Sequence, residues 1–96
     1  MQSVDFSIII NMFSMEGMVA LGKLKHPATG TVERNLEQAK FIIDLLGILQ
    51  HKTKGNLDAS ESNLLEQALS ALRLNYVHEN SSNEVRVDEP STGGTA

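Results

Sequence analysis

A chain of 96 residues with a formal net charge of −4 and no cysteine has room for one domain and excludes disulfides, thiolate metal sites and a cysteine nucleophile. The acidity sits mostly after residue 78, where Glu79, Glu84, Asp88 and Glu89 stand against Arg86, so the preceding body is close to neutral and lacks the clustered Lys/Arg face that nucleic acid requires. A body of this size buries only roughly 60–65% of its unfolded surface, and association is the usual remedy.

The first element, Phe6 to Leu24, reads FSIIINMFSMEGMVALGKL and predicts a helix over about 5–23. Ser3 or Asp5 caps it, because either side chain can accept from the free amides of the first turn, and it ends near Gly22. On a helical wheel Ser7, Asn11, Ser14, Met18 and Gly22 form a narrow, weakly polar strip. The rest of the circumference is apolar apart from Glu16 and Gly17. A helix that is apolar nearly all round is a buried one. Two further helices are expected to be too few to cover it, so it is expected to meet its own copy. Met12, Met15 and Met18 suit a core or an adaptable surface equally.

No Lys or Arg precedes the apolar run and no small-x-small site follows it, so it does not read as a secretory signal, and the chain is expected to be cytoplasmic. As a membrane span the segment is weak. Seven strongly apolar residues contribute roughly −3.5 kcal/mol together, whereas one mid-segment acid costs about +3 kcal/mol before Ser7, Asn11 and Ser14 are counted. Its length is also at the lower limit of about 17–20 residues.

Lys25 to Arg34 breaks the pattern. Pro27 fixes φ at the entry of a turn, and Gly30 can take the left-handed conformation that a tight turn needs. His26 has no second ligand in register and is expected to be exposed. Helix two is predicted over 36–53, capped by Asn35. Leu36, Ala39, Ile42, Ile43, Leu46 and Leu49 form one face, Phe41, Leu45 and Ile48 extend it, and Glu37, Lys40, Asp44, Gly47 and His51 form the polar strip. This helix can therefore contact neighbours on two sides.

Gly55, placed just past the cap, and the basic last turn end helix two. Asp58 and Glu61 have capping-box spacing and start helix three, predicted over 59–78, with Leu65, Ala68, Leu69, Leu72 and Tyr76 as its buried stripe. Leu74 lies off that stripe. The short link makes helices two and three an antiparallel hairpin. Residues 79–96 are expected to form a disordered acidic tail, in which Val85-Arg86-Val87 has the alternation of a docking strand.

Several of these stretches share a pattern: His26-Pro27-Ala28-Thr29-Gly30, Asn35-Leu36-Glu37-Gln38-Ala39-Lys40, Ile43-Asp44-Leu45-Leu46, Lys52-Thr53-Lys54-Gly55-Asn56-Leu57, and Leu64-Leu65 followed by Leu72-Arg73-Leu74-Asn75-Tyr76-Val77. Over roughly residues 4–78 the chain resembles a family of short bacterial helical proteins catalogued as domain of unknown function 1844. The resemblance implies a small soluble helical protein with no assigned reaction and carries no catalytic residue to transfer.

The reading is thus an all-α fold with a helical domain over 1–78. His26, His51 and His78 fall in a loop and at two helix ends without metal-ligand spacing, and Ser60 and Ser62 beside Glu61 look like cap residues. No catalytic, cofactor or metal residue is expected, and no enzyme activity. The expected role is that of a self-associating module, a dimer in the first instance, which recruits an unidentified protein. Its candidate interface is Phe6, Ile9, Ile10, Met12, Phe13, Glu16, Gly17 and Ala20. If Glu16 faces that interface it must be paired or protonated, with Lys23 as one possible partner, and Glu16→Leu is expected to leave the oligomer intact or tighten it. The alternative is a peripheral membrane or lipid-binding protein using the first helix. Its polar face lacks the Lys/Arg such helices carry.

Overall fold

The protein's structure, a computed structural model, describes residues 4–87. The fold is all-α: α1 (Phe6–Ala20), α2 (Leu36–Lys52) and α3 (Ala59–Val87). Each start is fixed by a side chain that satisfies amides with no partner inside the helix. Asp5 accepts from the Ser7 N–H at 3.0 Å, and Asn35 accepts from the Gln38 N–H at 3.1 Å. At α3 the capping box closes both ways: the Glu61 N–H donates to the Asp58 carboxylate at 2.8 Å, and the Asp58 N–H donates to the Glu61 carboxylate at 3.0 Å.

α1 stops at Ala20, before the expected end, in a Schellman turn. The Lys23 N–H donates to the Met18 carbonyl and the Gly22 N–H to the Val19 carbonyl, with Gly22 at φ 81°, a conformation that a side chain would strain. The cap of α2 is Thr53, whose hydroxyl donates to the Leu49 carbonyl at 2.7 Å. Gly55 therefore sits one residue later in that turn than its expected place. Gly30 has φ 71° and closes a loop in which its N–H donates to the His26 carbonyl at 2.8 Å.

All three helices pack on one another around one core. α1 contributes Ile10, Ala20 and, just beyond its end, Leu21; α2 contributes Ala39, Ile43 and Leu46; α3 contributes Leu65, Leu69 and Leu72. The spacings of three and four along α2 and α3 put these residues on single faces, and each large side chain fully buried there stabilises the fold by about 1.5–3 kcal/mol. Ala68 and Tyr76, expected on the buried stripe of α3, pack against this core from its edge.

Two contacts fix how the elements meet. The Asn35 N–H donates to the Ala20 carbonyl at 2.7 Å, which pins the start of α2 on the end of α1. Gln50, near the end of α2, donates to Glu66, near the start of α3, at 2.9 Å.

α3 continues nine residues past its expected end. Residues 79–87 contain no glycine or proline, the first breaker being Pro90, so nothing local stops the ladder of backbone hydrogen bonds. Glu79, expected to open the tail, is instead held by Lys23 and Arg34, each at 2.8 Å. The backbone over 85–87 is helical, not the strand that its alternation suggests. The remainder of the expected tail, 88–96, lies outside the described residues.

Candidate interaction surface

The sides of α1 have different fates. Ile10, Gly17 and Ala20, three of the candidate interface residues, are buried by α2 and α3 of the same chain, so they are not open to a second copy. Gly17 shows why the helices can close so tightly: a Cβ built on it would lie 2.7 Å from Leu72 Cδ2 and 3.4 Å from Ile42 Cγ2. The close approach expected at Gly17 is made within the chain. Phe6 and Phe13 are half-buried and pack against the core.

The other side is bare. Ile9 is 41% exposed and Met12 62%, and Glu16 is exposed beside them. Across from them α2 presents Phe41 and Ile48, each 57% exposed, with half-buried Leu45 between them. Ile9, Met12, Phe13 and Glu16 face Phe41, Ile42 and Leu45 across a groove of about 420 Å³. The α2 half of this groove lies outside the candidate set drawn from the sequence, although Phe41, Leu45 and Ile48 carry a helical signal of their own in their spacing of four and three. α1 stands out in the sequence by its overall hydrophobicity, which hides the contribution of α2. Met15 is 54% exposed and lies beside Met12 on the outer circumference of α1.

The ionisable groups are dispersed. Glu79 takes hydrogen bonds from both Lys23 and Arg34, which hold its carboxyl well below the usual range, at about 2. This cluster fastens both ends of the α1–α2 connector to α3. Lys23, the partner considered for Glu16, is committed to Glu79. Lys40 donates to Asp44 one turn along α2 at 3.0 Å, and that hydrogen bond raises the Lys40 pKa. His26 accepts from the Ala28 N–H through Nδ1 at 3.1 Å, which makes it a turn-former.

A second concavity of about 390 Å³ lies at the α2–α3 turn, lined by Gln50, His51, Thr53, Lys54 and Ser62 among others. Thr53 is engaged by backbone there, and Gln50 by Glu66. Among the described residues no group of three or more His, Cys, Asp or Glu could hold a metal ion, and no helix is long and apolar enough to cross a membrane.

The Lys52-to-Leu57 turn, the Asn35 cap and the Asp58 cap lie within residues 3–78, which match the family described as domain of unknown function 1844. The chain belongs to this family. The 1844 match covers α1, α2 and most of α3, and both sides of the apolar groove fall inside it. No curated protein and no solved structure matches the chain.

Proposed function

We propose that this chain is a small cytoplasmic self-associating module that acts through protein contacts and not through catalysis. The observation that carries the reading is the groove between α1 and α2, where large apolar side chains from both helices remain open in the single chain. Ile9, Met12 and Phe41 in the groove and Ile48 on the adjoining ridge of α2 together expose on the order of 450 Å², within the range of about 300–600 Å² for the largest patches on monomers, where function is common.

Met12→Glu tests the reading, since Met12 is exposed and its replacement leaves the core of the chain intact. Light scattering on a sizing column is expected to give an oligomer for the wild type and a monomer of equal helicity for Met12→Glu. An oligomer unchanged by Met12→Glu would overturn the assignment of this face.

The apolar area would also suit a lipid surface. Its charged neighbours are mixed, however, with Glu16 in the groove and Asp44 paired to Lys40, whereas peripheral helices carry a flank of Lys and Arg. Flotation with anionic liposomes is therefore expected to leave the protein in the soluble fraction, and co-flotation at low salt would favour the lipid reading.

A further inference from the structure

We infer that the α1/α2 groove receives a second copy of the same face across a two-fold axis, with Glu16 of each copy paired to Lys52 of the other. The inference rests on the self-association proposed above and adds the face, the symmetry and the charge pair that sets the register.

Phe41, Leu45, Ile48 and Lys52 follow one another at spacings of four, three and four, so Lys52 continues the apolar stripe of α2. It lies about 16 Å beyond Phe41 along the helix. Glu16 lines the groove beside Phe41, close to the end of α1 that Asn35 pins to the start of α2. Ile48 and Lys52 stand on the outer ridge of α2, which borders the groove on one side and a concavity with Asp44 and Arg73 on the other, so the acid lies on α1 at one end of the face and the base on α2 at the other.

A two-fold axis through the middle of the patch exchanges those ends. In such an isologous contact, if one residue meets a second, the second meets the first. Glu16 of one copy then lies over Lys52 of the other, and the reverse pair forms at the far end. Shifting or inverting the register would leave like charges facing each other or charges facing apolar side chains. Both groups are exposed, and neither is engaged by a hydrogen bond or ion pair among the described residues.

The exposed apolar residues supply on the order of half of the roughly 800 Å² per partner of a standard interface, and half-buried Phe13 and Leu45 adjoin them. The small core of a single chain gives the second copy a reason to be there.

Charge reversal at low salt provides the test, with sedimentation reading the dimer dissociation constant and circular dichroism checking the fold. Glu16→Lys and Lys52→Glu are each expected to weaken the dimer about tenfold through like-charge contacts repeated by symmetry, and the double variant is expected to return to within about threefold of wild type. A wild-type dimer that ignores both single reversals, or is not rescued by the double variant, overturns the two-fold pairing and leaves self-association standing. A wild type that stays monomeric at about 100 μM overturns both, since a standard-sized interface generally binds more tightly than that.

Discussion

At the residue scale, Gly17 and Glu79 decide how the three helices are held. Gly17→Ala sets a gain of about 1 kcal/mol in helix propensity against overpacking at Leu72, which is fully buried. Overpacking costs about 1–3 kcal/mol, so we expect urea unfolding to show a net loss of about 1 kcal/mol, and Gly17→Val to lose more. Glu79 bears on pH. Its folded pKa of about 2 is depressed from 4.5, so its stabilising contribution is fully present above the unfolded value and is lost as the pH falls through the folded one. The difference in melting temperature between wild type and Glu79→Gln should therefore narrow as the pH is lowered from about 5 to about 2. A gap that stays constant over that range would mean the Lys23 and Arg34 contacts do not hold in solution. The sequence did not reveal this cluster, because its members lie 56 and 45 positions apart and no local pattern links them.

At the scale of elements, the features that were legible are the ones set by near neighbours. The Asn35 cap, the Asp58–Glu61 box, the left-handed Gly30 turn and the core faces of α2 and α3 all depend on residues within a turn or two of one another. Asp58→Ala should cost about 1 kcal/mol, read as a lower midpoint in urea with an unchanged slope. The illegible features depend on what a helix meets. α1 is apolar on most sides, so its periodicity does not say which side its own chain covers, and Ile10, Gly17 and Ala20 part ways with Ile9 and Met12 only in the fold. α3 runs past its expected end because the polar composition after residue 78 resembles a tail, while the absence of Gly and Pro over 79–87 and the anchoring of Glu79 favour helix.

At the scale of the whole molecule, α3 is 29 residues long, about 43 Å, and accounts for most of the 51 Å long axis. The shorter α1 and α2, of 15 and 17 residues, lie against α3 and each other and use one side apiece on the shared core. Their other sides meet in the groove that a second copy is proposed to cover. Phe41→Glu should act as Met12→Glu does, since both charges would enter the same face from opposite helices. The most direct test of this account is sedimentation equilibrium on the full chain across the micromolar range. A species of twice the 10.5 kDa chain mass that dissociates on dilution is expected, whereas a stable, well-folded monomer throughout that range would mean that the α1/α2 face does not self-associate.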